Sequence, residues 1–449
     1  MDIKHRTDSG FNADAIDHTT AADLAEVGSD KWTRYPGCIG AFIAEMDYGL
    51  APCIQEAIDN ACDHCKLGYI PEPWKQRVAE ACAGWQRTHY GWNVNPSIIR
   101  VVPDVLEAYE VFLRELVGAG NSVIVPTPAY MPFLSVPKLY DVNVIEIEML
   151  QSGDTETGEA QWLFDFDAIE RAFAAGCHAF VLCNPHNPIG KVLTLEEELR
   201  LSDLAAQYDV RIFNDEIHAP FVFEGKHIPF PTISEQAALQ SMTATSASKS
   251  FNIPGTKCAQ VLLTNPTDRD MWAVKAEWSE HQTATIGAIA TTAAYNEGDP
   301  WFQDAFAYVR RNLDLFDEQM RERFAGVGYI KPQGTYITWL DFGPLGIDDP
   351  ATYFLEKAQV ALTDGRLCGE AGAGCVRVNV AMPYPLLVDC LDRMYGALHA
   401  DGLATYSVFP STNGSMTVSI APLSNSLSTV MVPLEIRILS TCDGRLICV

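Results

Sequence analysis

The sequence predicts an α/β fold, a mostly parallel central sheet flanked by helices, with a smaller α/β domain at the C-terminal end. Three observations carry this expectation. From about residue 100 to 290, short β-branched runs alternate with longer amphipathic stretches, the pattern of strands joined by crossover helices. After about residue 290 the texture changes to one long helical stretch and then shorter strands and helices. A chain of 449 residues with 48% hydrophobic composition can also bury two or three domains' worth of core without a disulfide or metal staple.

Taken in order, Ile98–Val102 reads as a strand and Val105–Val117 as a helix, from apolar residues at helical spacing. Ser122–Pro126 reads as a strand, Tyr130–Leu139 as a helix and Val142–Ile147 as a strand. Phe180–Cys183, Val210–Phe213, Met242–Thr245 and Gln260–Leu263 are further strands. Leu193–Tyr208 is a helix opened by a capping box, Thr194 with Glu197 three residues on. In the second region the expected order is a helix over Phe302–Phe324, a strand over Tyr336–Phe342 and a helix over Ala351–Leu362. A strand at Val376–Val380 and a helix at Leu386–His399 follow. The last 46 residues carry only Glu435, Arg437, Asp443 and Arg445 as charges and read as an extension of unassigned role.

Composition excludes several classes. A net charge of −27 repels phosphate backbones and anionic membrane faces, which argues against nucleic-acid and membrane-surface partners. No apolar run is long enough to span a bilayer, and the first residues show no secretory h-region. The 13 cysteines are scattered and odd in number, as expected of reduced thiols in a cytoplasm. Cys62 and Cys65 lack the second ligand pair that a zinc site needs.

Chemistry gathers at three predicted strand ends. Asn187 lies in Asn184-Pro-His-Asn-Pro-Ile-Gly190 after one strand, Asp215 in Asn214-Asp-Glu-Ile-His218 after the next, and Lys249 in Ser246-Ala-Ser-Lys249 after a third. Ligands of parallel sheets sit at such carboxyl ends. Pyridoxal phosphate needs this set of groups: a lysine for its aldehyde carbon and an acid to keep its ring nitrogen protonated. It also needs a donor for the phenolic oxygen, and hydroxyls with a helix N-terminus for the phosphate. Lys249, Asp215, Asn187 and Ser246 supply the matching types.

The ordered series NPHNPIG, NDEIH and SASKSFNIPG resembles the fold-type I pyridoxal-phosphate enzymes of the aminotransferase class I/II superfamily, over roughly residues 30–400. AEMDYGLAP (44–52), TPAYMPF (127–133), DEIHAP (215–220), GTYITWLDF (334–342) and GCVRVNVA (374–381) are similar to one branch, the MalY/PatB-type cystathionine β-lyases. The resemblance implies an N-terminal segment, 1–50, packed on the small domain. It further implies a large cofactor-binding domain at 51–290, a small domain at 291–403 and a tail at 404–449. It implies that Lys249 holds the cofactor and shuttles the Cα proton, Asp215 pairs with the ring nitrogen, Asn187 bonds the phenolic oxygen and Tyr130 stacks on the ring. Ser246 and the N–H groups of Val105 and Leu106 would bind phosphate, joined by Tyr69 from a neighbouring subunit of a homodimer. Arg377, inside an apolar strand, would grip the substrate carboxylate together with Asn187. His218 stands where aminotransferases usually carry Tyr, and is either a cofactor contact or a packed core residue.

Two positions depart from the branch. Asp104 stands where many relatives have Gly in the phosphate cradle, so its carboxylate must turn away, as a helix cap would. Lys257 stands where aminotransferases place a phosphate-binding Arg. The expected activity is α,β-elimination from cystathionine or another S-substituted L-cysteine, giving a thiol, pyruvate and ammonia. An aminotransferase is the first alternative, and a lyase with an added protein-binding role is the second.

Overall fold

The computed structural model describes residues 9–153 and 160–404, and the backbone of four short strands at 409–410, 416–417, 438–440 and 446–448. The reading of 404–449 as an extension falls largely outside the described residues.

Seven strands form the central sheet: β1 (Ile99–Val102), β2 (Ser122–Thr127), β3 (Asn143–Glu148), β4 (Ala179–Cys183), β5 (Arg211–Asp215), β6 (Ser241–Thr245) and β7 (Ala259–Leu262). Their spatial order is β1-β7-β6-β5-β4-β2-β3. All pairings are parallel except those of β7, which runs against both of its neighbours. The inner strands are buried on both faces, as a sheet covered on both sides requires. Along β4, Ala179, Val181 and Cys183 join one core with Val105, Phe112 and Trp272. Phe180 and Leu182 join another with Ile169, Phe173 and Leu201 on the opposite side.

A four-stranded antiparallel sheet, built from Gly328–Tyr329, Ile337–Asp341, Cys375–Asn379 and Thr363–Asp364, makes the smaller C-terminal unit. The helices Asp299–Arg323 and Tyr384–Ala400 pack with it in one apolar cluster. The N-terminal segment joins by a two-residue parallel strand, Ile39 opposite Val360 and Gly40 opposite Ala361.

Three expected elements are corrected. The helix expected over Tyr130–Leu139 is an α-turn at Pro132–Ser135 followed by a 3₁₀ turn at Val136–Tyr140; Pro137 lacks the N–H that would continue the α-ladder. The helix from Val105 is α only to Phe112 and finishes as a π-turn to Val117. The helix at Pro350 ends at Ala358, where Gln359 turns left-handed at φ 55, releasing Val360–Ala361 to pair as a strand. The helix Thr285–Glu297 packs on both Pro52–Asp63 and Glu72–Tyr90, three helices beyond the elements expected from the sequence. The capping box opens the helix Leu195–Gln207 as expected, with Thr194 and Glu197 bonding reciprocally.

Candidate active site

Register along β4, β5 and β6 sets Cys183 opposite Asp215 and Asp215 opposite Ala244. The loops that leave these strands therefore start side by side, and they converge on one cavity of about 630 Å³, a size suited to a small ligand. Tyr130, Asn187, Asp215, His218, Ser246, Lys249, Lys257, Arg377 and the helix start at Val105 and Leu106 all line it. Tyr69 does not. It is 85% exposed and stacks on His281 at 5.4 Å, outside its own chain's cavity.

Each loop has a reason to hold its shape. Gly190, at φ +67, closes the Asn184–Gly190 loop, and a Cβ there would lie 2.3 Å from Pro332, so only glycine fits. Asn187 presents its carboxamide oxygen to Arg377, whose Nη1 donates at 3.2 Å. The second arm of Arg377 donates to the Phe42 carbonyl at 2.8 Å. Burial disfavours the charged guanidinium and lowers its pKa. Asp215 is buried and accepts from the Ile217 N–H at 3.0 Å; burial pushes its carboxyl up to about 7. Burial, with the nearby Arg377 charge, holds the Lys249 amine down at about 8, and this amine donates to the Ala44 carbonyl at 2.8 Å.

His218 is buried with its Nδ1 unpartnered and its ring edge-on to Tyr336 at 5.8 Å. Burial, with Lys249 and Arg377 nearby, lowers its pKa to about 3, so the ring is neutral at any physiological pH. Tyr130 is half-buried and sits edge-on to Phe133 at 5.5 Å. Ser246 gives its proton to the Cys258 carbonyl at 2.9 Å and accepts from the Ser248 N–H at 3.0 Å. At the helix start, Asp104 accepts from the Glu107 N–H at 2.9 Å with one oxygen and from Lys257 Nζ at 2.8 Å with the other. The two departures from the branch thus compensate each other: the acid caps the helix and holds the lysine.

Four cations (Arg34, Lys249, Lys257 and Arg377) face three acids (Asp104, Asp215 and Asp364) across the cavity. With Asp215 half-neutralised near pH 7, a chain of net charge −27 carries a locally positive pocket, able to attract an anion.

Sequence reasoning missed the third wall. Residues Phe42–Asp47 form a strap, of which Phe42, Ile43 and Ala44 line the cavity, and its backbone is held by buried side chains. Thr363 donates to the Phe42 carbonyl, Asn379 to those of Ile43 and Glu45, and Tyr336 to that of Ala44. Asn252 takes Met46 at both ends, accepting from its N–H at 2.9 Å and donating to its carbonyl at 2.6 Å. Lys31, fully buried, and Trp32 both donate to the Asp47 carboxylate. One signal was readable: Arg377 and Asn379 are polar residues two apart on an apolar strand, and so share a face. Asn252 sits three residues after Lys249 at φ 56, tying the lysine's turn to the strap. Asn252→Gly keeps that backbone and removes both bonds. It is expected to raise KM about 5- to 30-fold with kcat nearly unchanged, the worth of one to two lost hydrogen bonds. Steady-state kinetics checks this, and a fall in kcat at constant KM contradicts it.

The profile of the family "Aminotransferase class I and II" matches residues 44–389. The chain belongs to this family. Within it, the chain is 33% identical over 370 residues to cystathionine beta-lyase of Corynebacterium glutamicum, covering 82% of this chain and 96% of that protein. It is 31% identical to protein MalY of Escherichia coli, covering 80% and 91%. Among solved structures, a putative PLP-dependent beta-cystathionase from Corynebacterium diphtheriae superposes with a TM-score of 0.79 at 34% identity, covering 85% of this chain and 98% of that one. The family match spans all three strand-end loops and the strap from Ala44 onward.

Proposed function

We propose that this chain is a pyridoxal-phosphate-dependent carbon–sulfur β-lyase, which cleaves cystathionine or another S-substituted L-cysteine to a thiol, pyruvate and ammonia with uptake of one water. The observation that carries the reading is the convergence of Lys249, Asp215, Asn187 and Arg377 on one cavity, in a chain related to cystathionine β-lyases over most of its length. The donor set fits the cofactor. An amine held at a lowered pKa, a buried carboxyl, an unpartnered imidazole nitrogen and the first turn of a helix all line the same cavity.

When bound, pyridoxal phosphate supplies an electron sink for the charge left when the substrate's Cα proton is removed. The chain's own groups do the rest. Arg377 holds the substrate carboxylate with two N–H groups, and Asn187 orients that guanidinium. Lys249 Nζ takes the Cα proton, and its low pKa leaves it a base near neutral pH. Asp215 holds a proton at the ring nitrogen; a cation beside it would draw its own pKa back down. Tyr130 would stack on the cofactor ring, and the neutral His218 would offer it a hydrogen bond. Val105, Leu106, Ser246 and Lys257 take the phosphate end. The strap Phe42–Asp47 shields the reacting carbon from water.

The same proposal includes a homodimer in which Tyr69 of one copy reaches the phosphate end of the other. The outward aromatic stack of Tyr69, His281 and Trp278 supports it. It also includes the division at residues 51–290 and 291–403, and a cytoplasmic site of action. The described cysteines are all free thiols, and no described helix is long and apolar enough to cross a membrane.

Two expected results belong to the cofactor end. Asp104→Asn keeps the helix cap and frees Lys257 for phosphate, so fluorescence titration of the apoprotein should show cofactor binding about 5- to 10-fold tighter at low salt. The gain should shrink at high salt, because the pair is half-exposed; unchanged or weaker binding contradicts the assignment of Lys257. Only a neutral amine attacks an aldehyde, and Lys249 is held at about 8. Stopped-flow incorporation should therefore quicken as pH rises through about 8 and level off above, whereas a rise continuing past pH 10 contradicts the depressed pKa.

The lyase itself is tested by loading the protein, adding L-cystathionine and following free thiol. Thiol release supports the reading. Conversion of the cofactor to its amine form with no thiol overturns it in favour of the aminotransferase.

A further inference from the structure

Behind the strand end that carries Asp215 lies a pair of buried acids that the elimination does not use. Side chains alternate along a strand, so Asp215 lines the cavity while Asn214 and Glu216 point to the other side of the sheet. Glu216 is 1% exposed. Its Oε1 accepts from Asn214 Nδ2 at 2.7 Å and from the Phe230 N–H at 2.9 Å, and its Oε2 meets His227 Nε2 at 3.4 Å. Asn214 Nδ2 also donates to Thr243 Oγ1 at 3.1 Å, tying the group to β6. Glu198, equally buried, accepts from Asn184 Nδ2 at 2.9 Å, and Asn184 opens the loop that carries Asn187.

A carboxylate in such a place is costly to bury. Among the described residues no lysine or arginine lies within ion-pair distance of Glu216. The titratable groups around it are His227 from the loop beyond the strand, Glu198 from the helix Leu195–Gln207, and Cys82 and Tyr90 from the helix Glu72–Tyr90. Burial and then the Glu216 charge push Glu198 up to about 9, so that acid carries its own proton at neutral pH. After burial, the same charge is what raises Asp215, against the Ile217 N–H and Lys249, which lower it. The effect of Glu216 therefore reaches the cavity one residue away, through the acid at its centre.

We infer that Glu216 is a positioning residue for the cofactor's ring nitrogen: fixed behind β5 by Asn214, Phe230 and His227, its charge keeps the pair formed by Asp215 and that nitrogen from giving up its proton as pH rises. This rests on the pyridoxal-phosphate lyase reading and deepens it. Losing the pair's proton would leave Asp215 and Glu216 as neighbouring uncompensated carboxylates in a buried setting, which like charges disfavour. A neutral side chain at 216 removes that penalty. The proton concerned is the one that lets the ring accept charge from Cα, so Glu216 sets how far activity extends to alkaline pH.

The test loads the protein with cofactor carrying nitrogen-15 in its ring and follows that nitrogen's chemical shift against pH in the parent, Glu216→Gln and Glu198→Gln. Glutamine keeps an oxygen able to accept from Asn214 and the Phe230 N–H and removes only the charge. In Glu216→Gln the ring should lose its proton about one pH unit below the parent, tenfold in the dissociation constant. The alkaline fall in kcat should move with it while KM holds. Glu198→Gln replaces an acid that already carries its proton, and should titrate with the parent. His227→Lys, at the wall of a surface cavity, sets a cation against Glu216 without altering it and should shift the titration in the same direction; this variant decides the matter if Glu216→Gln does not fold. A ring titration unmoved by Glu216→Gln or His227→Lys, or moved equally by Glu198→Gln, overturns the inference and leaves the lyase reading standing wherever the parent forms pyruvate. A parent that forms none overturns the lyase reading, and the ring titration still decides the role of Glu216.

Discussion

Replacing Lys249 with alanine is expected to lower turnover by at least about 10⁴-fold, because one side chain both anchors the cofactor and moves the Cα proton, and positioned acid–base catalysis alone is worth 10²–10⁴-fold. The fold should survive the change. Its amine makes one described hydrogen bond, to the Ala44 carbonyl, and the folded state disfavours its charge. The sign follows from the depressed pKa: burying a charged Lys249 destabilises the apoprotein fully below about pH 8, and that cost fades as pH rises toward the unfolded-state value near 10.4. At pH 7 the variant's thermal midpoint should therefore lie at or above the parent's while turnover is lost. Assaying pyruvate alongside thermal unfolding separates the two. A variant retaining even a few per cent of parent turnover contradicts the role given to this residue.

Arg377→Lys should cost at least about 30-fold in kcat/KM, nearly all of it in KM. A lysine keeps the charge but has no planar fork, so it cannot hold a carboxylate while also meeting Asn187 and the Phe42 carbonyl. Truncating one member of a buried hydrogen-bonded charge set costs about 2–5 kcal/mol, which sets the lower bound. Initial rates across substrate concentration provide the check. An unchanged KM with a reduced kcat would place Arg377 outside the carboxylate grip.

Much of this site was legible because its chemistry sits at strand ends. Asp215 follows an apolar run and Lys249 a second, and the loop pattern needs only a parallel sheet to bring them together. The prolines and glycine around Asn187 likewise announce a rigid turn, and Gly190 shows why. What stayed hidden is contact between segments distant in sequence. Asn252 meets Met46 across more than 200 residues, and Asn379 meets Ile43 across more than 330; no local period records either. The reversal of β7 was unreadable for the same reason, since an apolar strand looks alike in both directions. The chain around Pro132 and Pro137 misled through apolar spacing that suits a helix, although its prolines already forbade a continuous one. Asp104 and Lys257 looked like separate departures from a family pattern, and only their 2.8 Å contact shows them to be one.

Elimination at a single lysine-centred site is the central claim, and one measurement reaches it directly. Purified protein loaded with pyridoxal phosphate is incubated with L-cystathionine, and pyruvate and free thiol are quantified in the same samples. Both are expected to appear together in a one-to-one ratio. Thiol without pyruvate, or neither product while the lysine-bound cofactor absorbance remains intact, would contradict it.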